Sequence, residues 1–399
     1  RTQLIIDEAH NLPGRVAACH SHMLDASELD KVLSEIQFAR FSGSLARHMD
    51  LLLSIVRKQS PCDALDPPQE ADLIGTLREL LQAIRETGFL EDELSADSVE
   101  WLWNISYLLA DWDHPHLSML VSSPKRGRIQ LSCVDASEVI APELNKFFQT
   151  TMMSATIRPW EAFLHETGLG TSSRSTRKVV GTAPWLDSCF EVMVDARVDT
   201  RYRQRDRYLD KTARTIGETA LSGKGCTVAF FPSYAYAEKV LERLRFTHPV
   251  LRCTIQPRNL PLEEQSEFLE SALILQDALF LILGSRFSEG IDSLGGKISQ
   301  AIVVGPALPE VNSLQRARES MVPGGPSVAF QQTYLIPGLR KISQALGRLV
   351  RSPEHRAKVL LHGKRFIEPA YQDLLPSYLQ PEGILVTDED LHSNWLSRP

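Results

Sequence analysis

Two adjacent carboxylates and an imidazole, Asp7-Glu8-Ala9-His10, stand directly behind the short apolar run Leu4-Ile5-Ile6. A carboxylate at the C-terminal end of a buried strand can hold Mg2+, usually through water, and the metal then bridges the phosphates of a nucleotide. A second carboxylate beside it can orient or deprotonate the attacking water. His10 is placed to link this pair to whatever packs above it. An acidic surface turn is the competing account of the same residues. Ser154-Ala155-Thr156 follows Met152-Met153. Small hydroxyl residues at a strand end can hydrogen-bond a neighbouring carboxylate and so sense its state; a plain strand end with a helix N-cap is the alternative.

Three further stretches carry chemistry. Gly284-Ser285-Arg286-Phe287-Ser288-Glu289-Gly290-Ile291-Asp292 follows the apolar Leu279–Leu283. Glycine allows backbone to approach a phosphate or sugar closely. Ser285 and Ser288, with Arg286 between them, can donate to a nucleic-acid backbone, and Asp292 can meet a ribose hydroxyl or an arginine. A glycine-rich loop without special function is the other reading. In Gln344-Ala345-Leu346-Gly347-Arg348-Leu349-Val350-Arg351, helical spacing puts Gln344, Arg348 and Arg351 on one face, with Gly347 leaving room for close approach. Two guanidiniums and an amide so grouped suit a phosphoryl group gaining charge during cleavage; a solvated basic helix face is the bland alternative. Phe230-Phe231-Pro232-Ser233-Tyr234 ends another apolar run. Ser233 and Tyr234 can contact a phosphate or stack on a base, while Phe230 and Phe231 read equally well as core. The series Arg201, Arg203, Arg205 and Arg207 reads as a solvated loop and helix start.

These residues need elements to hold them. Leu4–Ile6 reads as a buried strand with Asp7 and Glu8 at its carboxyl end, where ligands bind in open α/β sheets. From about Glu28 to Leu109 the apolar period becomes helical: Leu29, Val32, Leu33 and Ile36; then Leu45, Met49, Leu52, Leu53 and Val56; then Leu73, Leu77, Leu80, Leu81 and Ile84. Pro61, Pro67 and Pro68 interrupt the series, and Trp101, Leu102, Ile105 and Leu108 resume it. About four helices are expected. Strand-like text returns at Ile129–Val134 and Thr150–Met153, and Gly168–Arg177, rich in Ser, Thr and Gly, reads as a surface connection. Beyond it Phe190–Val194, Thr227–Phe231, Leu279–Leu283, Ala301–Val304 and Val359–Leu361 alternate with amphipathic stretches such as Tyr236–Leu244 and Leu262–Ala272. That alternation predicts a mainly parallel sheet with helices on both faces.

Composition sets the frame. The 399 residues are enough for two or three domains, and 43% hydrophobic with 23% charged residues is ordinary for a globular protein. No apolar run approaches the roughly 20 residues of a membrane helix, so no membrane partner is expected. The cysteines at 19, 62, 133, 189, 226 and 253 form no C-x-x-C pair. That spacing argues against a zinc site or a disulfide framework and fits a reducing, intracellular and cytoplasmic setting, nucleoid-associated in a bacterium. With a net charge of −7, nucleic-acid binding has to use a local basic groove. A start on Arg1, two residues before a strand, leads us to expect a piece of a longer protein.

In their order, these motifs resemble the XPD/DinG type of superfamily 2 DNA helicases. The matching text is Leu4 to Leu12 for motif II, Met153-Ser154-Ala155-Thr156-Ile157 for motif III and Phe230 to Tyr234 for motif IV. Ser288 to Asp292 matches motif V, followed by Ile302 to Pro306, and Gln344 to Arg351 matches motif VI. The resemblance implies an α/β fold of two RecA-like motor domains, the first incomplete and with unpaired strand edges, and a helical Arch-like insertion. Residues 1–20 are then the end of the first motor domain, 21–125 the insertion, 126–178 the return to the first domain and 179–399 the second. It implies ATP and Mg2+ as cofactors, with Asp7 and Glu8 at the metal, and Arg348 and Arg351 catalytic with them. Nucleotide contacts fall to His10, Gly290, Asp292, Gln344 and Gly347, and coupling to Ser154 and Thr156. Ser233, Tyr234, Ser285, Arg286 and Ser288 then meet nucleic acid. The implied partners are single-stranded and forked duplex DNA, with movement 5′ to 3′ and a role in repair or replication. Most members carry a 4Fe–4S cluster whose cysteines, like the phosphate-binding G-K-[ST] loop, precede motif II. Gly223-Lys224 and Gly296-Lys297 lack the spacing of that loop, so these residues alone are expected to hydrolyse ATP poorly. Two departures stand out: Ser352-Pro353-Glu354-His355-Arg356 replaces the usual acidic residue and glycine after motif VI, and motif III lacks its frequent leading Thr.

Other readings remain open at this level. One is a catalytically inactive, DNA-binding scaffold, which an upstream G-K-[ST] loop would argue against. Another is the helicase part of a nuclease–helicase fusion, which an upstream acidic exonuclease segment would support. RNA as the substrate is a further option.

Overall fold

The computed structural model describes residues 2–39, 43–87, 93–171, 175–289 and 294–397. The chain divides into two compact units, Arg1–Arg177 with Glu310–Gly325, and Lys178–Pro309 with Pro326–Pro399. Among the described residues no helix is long and apolar enough to cross a membrane.

In the first unit β1 (Gln3–Ile6) leads into a short helical turn and the helix Leu12–Cys19. Four helices follow after β2 (His22–Asp25): Ala26–Phe38, Gly43–Lys58, Pro67–Thr87 and Ala96–Asp113. Their apolar stripes meet in one core, where Leu29, Ile36, Leu45, Met49, Leu52, Leu77 and Leu80 are fully buried. Side-chain caps start two of them: Asp25 accepts from Ser27 N–H and Ser95 from Ser98 N–H. The helices are therefore as the apolar period predicts, but the segment 21–125, expected as a helical insertion, is not purely helical. β2 joins β3 (Ser118–Lys125) and β4 (Arg128–Asp135) in an antiparallel sheet of order β2-β4-β3. β2 is too short to show a period, and the serines and proline of β3 mask its strand character. β4 supplies the pairing for both. β5 (Gln149–Met152) then returns to pair in parallel with β1, Leu4 opposite Thr150 and Ile6 opposite Met152.

Residues 179–399 are not one uninterrupted domain. The helix Ser313–Met321 packs with the first unit, against β4. Arg318 donates through Nε to the Val134 carbonyl and through Nη2 to that of Cys133, each at 3.2 Å, and Ser313 Oγ donates to the Asp63 carbonyl.

The second unit is a seven-stranded sheet in the order β12-β6-β11-β10-β7-β9-β8. Its strands are β6 (Phe190–Asp195), β7 (Thr227–Phe231), β8 (Cys253–Ile255), β9 (Ala278–Ile282), β10 (Gln300–Val304), β11 (Ala357–His362) and β12 (Gly383–Leu385). Every pairing is parallel. Such strands are buried on both faces, which is why they read as continuous apolar runs. Val228, Phe230, Leu279, Leu281, Ala301 and Val303 face one helical layer, which includes Leu339, Ile342 and Leu346. Their neighbours Ala229, Phe231, Phe280, Ile302 and Val304 face the other, with Ile216, Val240, Leu244 and Trp395. Phe230 and Phe231 are thus core residues.

Beneath the carboxyl ends of β6 and β11 lies a buried polar cluster. His362 Nδ1 is 2.7 Å from Asp195 Oδ2, its Nε2 is 3.0 Å from Thr212 Oγ1, and Arg197 forks onto both Asp195 oxygens at 2.8 and 2.7 Å. Burial, the largest single influence on Asp195, raises its pKa; the charge of His362 and the Arg197 hydrogen bond together outweigh it and hold the carboxyl well below the usual range.

Candidate nucleotide and nucleic-acid sites

The parallel pairing of β1 with β5 brings the acidic loop beside the hydroxyl loop. Met153 N–H donates to the Ile6 carbonyl and Ala9 N–H to the Met153 carbonyl, both at 2.9 Å. Residues some 146 positions apart are then in contact. Ser154 Oγ lies 2.7 Å from His10 Nδ1, 3.1 Å from Thr156 N and 3.5 Å from Glu8 Oε2. One assignment satisfies all three: the hydroxyl accepts from His10 Nδ1–H and Thr156 N–H and donates its own proton to Glu8. His10 Nδ1 is also 3.3 Å from Glu8 Oε2, and its ring is nearly buried whereas Glu8 is exposed. Among the described residues Glu8 is the one non-glycine with positive φ (φ 47°, ψ 43°). Left-handed backbone at a carboxylate of this kind is strain of the sort found where a side chain is aimed for function.

Asp7 is exposed, and its Oδ1 accepts Glu8 N–H at 2.8 Å. Mg2+ is commonly held by one or two carboxylates, water and substrate phosphates. Asp7 and Glu8 supply that donor set, and the mode calls for no cluster of three protein ligands; among the described residues there is none.

The second unit places Ser233, Tyr234, Ser285 and Arg286 just past the carboxyl ends of β7 and β9. Gly284 takes φ 79°, and a Cβ there would stand 3.0 Å from Lys341 Cε, so the loop after β9 runs tight against the helix Ile336–Gly347. Arg286 is exposed at the start of the turn Arg286–Glu289. Ser288, expected to meet nucleic acid, is instead fully buried, its hydroxyl donating to the Ser285 carbonyl at 3.0 Å. Ser285 also uses its proton internally, donating to Gln256 Oε1 at 3.1 Å. Gly290 and Asp292 lie outside the described residues. Ser233 precedes the helix Tyr234–Thr247 without capping it through its side chain. The Tyr234 ring carries the Arg258 guanidinium 4.5 Å from its centroid, so one face is already stacked. Gln256 went unread in the sequence: a lone glutamine between Ile255 and Pro257 gives no signal, and only the fold shows it buried between two loops.

The shared helical face of Gln344, Arg348 and Arg351 is corrected by the structure. The helix ends at Gly347; Arg348 caps it and Arg351 lies beyond. Leu349 N–H donates three residues back, to the Leu346 carbonyl at 3.0 Å, and the chain leaves the helix before anything donates in α-helical register to the Leu349 carbonyl. That carbonyl accepts from Gly296 instead, at 2.9 Å, and Arg351 N–H donates to His355 Nδ1 at 3.2 Å. Gln344 and Arg348 keep their one-turn relation, and Arg351 is an exposed loop residue. The close neighbour of Gly347 is Tyr378, whose Oη would lie 3.4 Å from an added Cβ.

A family model described as the helicase C-terminal domain matches residues 216–382. Among curated proteins, the ATP-dependent DNA helicase chl1 of Schizosaccharomyces pombe is 25% identical over 38% of this chain and 20% of its own length. The ATP-dependent DNA helicase DinG of Photobacterium profundum is 24% identical over 45% and 26% of the two chains, and the mouse ATP-dependent DNA helicase DDX11 is 22% identical over 46% and 23%. The matched parts therefore span about a quarter of these relatives. Solved structures share the fold across 96% of the chain: an XPD helicase with TM-score 0.64 at 17% identity, covered over 68% of its length, and S. tokodaii Xpd4 with TM-score 0.65 at 16% identity, covered over 75%.

Proposed function

We propose that this chain, similar in part of its sequence and in its fold to helicases of the XPD/DinG type, forms part of an ATP-dependent DNA helicase, working on single-stranded DNA 5′ to 3′ and on forked duplexes, inside the cell, in repair or replication. The observation that carries this reading is the hydrogen-bonded contact of Glu8, His10, Ser154 and Thr156. It joins a carboxylate suited to water activation to a second loop that responds to its state. In the proposed cycle Asp7, with Glu8 beside it, would hold Mg2+, which would supply charge neutralisation at the phosphates. Glu8 orients the attacking water and takes its proton. Loss of charge on Glu8 weakens it as the acceptor of the Ser154 hydroxyl, so the hydroxyl turns, and Thr156 and His10 move with it. Arg348 and Arg351 donate to phosphate oxygens as charge develops, Gln344 and Gly347 lie against the nucleotide, and Ser233, Tyr234 and Arg286 meet the DNA backbone or bases.

ATPase measurements on the complete gene product, with and without single-stranded DNA, test this. Strand-stimulated turnover is expected, and Asp7→Asn, Glu8→Gln and Arg351→Ala should each abolish it; stimulated turnover persisting in Arg351→Ala removes the arginine from the mechanism. Residues 1–399 by themselves should bind ATP weakly, and a micromolar Kd measured on them would count against the need for a separate phosphate loop.

A further inference from the structure

The sheet order puts β9 between β7 and β8. The segments leaving these three strands therefore emerge side by side: Tyr234 after β7, Gln256 after β8 and Ser285 after β9. Gln256 is only 2% exposed. Its Oε1 accepts from Ile282 N–H at 2.7 Å and from Ser285 Oγ at 3.1 Å, and its Nε2 donates to Tyr234 Oη at 2.7 Å. Tyr234 passes its own proton to the Pro257 carbonyl at 3.1 Å. The amide cannot be reversed, because Ile282 N–H would then face an NH2 group, donor against donor. One buried side chain thus fixes two loops in a single arrangement. The first carries Tyr234 with Arg258 stacked on it; the second is the turn that presents exposed Arg286.

We infer that Gln256 is a positioning residue for nucleic-acid binding: it holds the Tyr234–Arg258 platform and the Arg286 turn at a set separation, so that one strand meets both together. This rests on the nucleic-acid reading above. It also explains why Ser285 is not itself a backbone contact: its proton is committed to the amide. Without the amide, Ile282 N–H loses a buried partner, and the two loops lose their common reference.

An oligothymidylate titrated against the chain, followed by fluorescence anisotropy alongside thermal melts, provides the test. Gln256→Leu should bind about tenfold more weakly, the scale of one lost buried partner, while still melting cooperatively. Tyr234→Phe deletes only the hydroxyl the amide holds; it should weaken binding too, and the double variant should be no worse than Gln256→Leu. Gln256→Glu, whose carboxylate accepts from Ile282 N–H, Ser285 Oγ and Tyr234 Oη alike, should bind within about threefold of the wild type. Wild-type affinity in Gln256→Leu, fully additive losses in the double variant, or no rescue by Gln256→Glu overturns the inference. If the leucine variant does not fold, wild-type affinity in Tyr234→Phe overturns it by itself. A wild-type chain that does not bind the oligonucleotide brings down the nucleic-acid reading as well, a result distinct from normal wild-type binding with an indifferent variant.

Discussion

Glu8 sits in left-handed backbone that costs an L-residue about 1–2 kcal/mol. Ser154 Oγ and His10 Nδ1 reach its carboxylate at 3.5 and 3.3 Å, and Thr156 N–H joins through the Ser154 hydroxyl at 3.1 Å. If the strain is maintained for chemistry, removing it should separate stability from activity. Glu8→Gly relieves the backbone, and the flexibility of glycine in the unfolded chain offsets part of the gain. The variant is expected to melt at or slightly above the wild type while strand-stimulated ATP hydrolysis falls at least about a hundredfold. Differential scanning calorimetry beside an ATPase assay checks this, and a fall of several degrees in Tm would show that the backbone at Glu8 is not strained. Asp7 and Glu8 were legible from residue type and spacing alone. The role of Ser154 as a three-way junction was not, because it depends on a register between strands nearly 150 residues apart.

At the scale of elements, the parallel sheet of the second unit relies on a polar pin where a wholly apolar core could have stood. Asp195 on β6, His362 on β11 and Thr212 on the helix Leu209–Ser222 meet with no solvent at Asp195 or His362. Arg197 extends the pin to Asp388 at 2.8 Å. Because the carboxyl of Asp195 is held below its unfolded value near ~4, its stabilising contribution is complete above that pH and is lost as the medium acidifies through and below it. Asp195→Asn leaves His362 and Arg197 without their anion and should destabilise the fold by about 3 kcal/mol near neutral pH. Its stability should also change less than that of the wild type between roughly pH 5 and pH 3. Urea unfolding over that range gives the answer, and parallel acid limbs for the two proteins would take Asp195 out of the pin. The apolar strands were readable in the sequence because parallel strands are buried on both faces. The pin was not, since an Asp at one strand end and a His at another carry no signal of contact.

For the molecule as a whole, the chain passes between its two units three times, near residues 177, 309 and 325. The middle excursion is held by the helix Ser313–Met321 on β4, with Arg318 partly buried against two carbonyls. Burial lowers the pKa of that guanidinium, while Cys133 and Asp135 act in the opposite sense. It is followed by Pro323-Gly324-Gly325-Pro326, whose glycines take φ 104° and 90°. Arg318→Met keeps much of the apolar contact and deletes both hydrogen bonds, a loss of about 2 kcal/mol. Proteolysis in the 322–326 stretch should then accelerate while the sheet of the second unit stays intact; an unchanged cleavage rate would mean that packing of the helix, not Arg318, secures it.

The sequence by itself determined the chemistry available and the element types: carboxylates behind a strand, arginines at helical spacing, four helices of regular apolar period, and alternating strands and helices beyond residue 178. Each of these follows from near neighbours along the chain, where burial leaves a period of two, of about 3.6, or an unbroken apolar run. Only the tertiary structure decided which loops meet. It made Ser288 a buried residue, ended the helix Ile336–Gly347 before Arg351, with the Leu349 carbonyl taken by Gly296, and sent residues 310–325 to the first unit. It also set Gln256 between Tyr234 and Ser285. These outcomes depend on strand order and on donors and acceptors brought together from distant positions, and a hydrogen bond between residues far apart leaves no periodic trace in either segment.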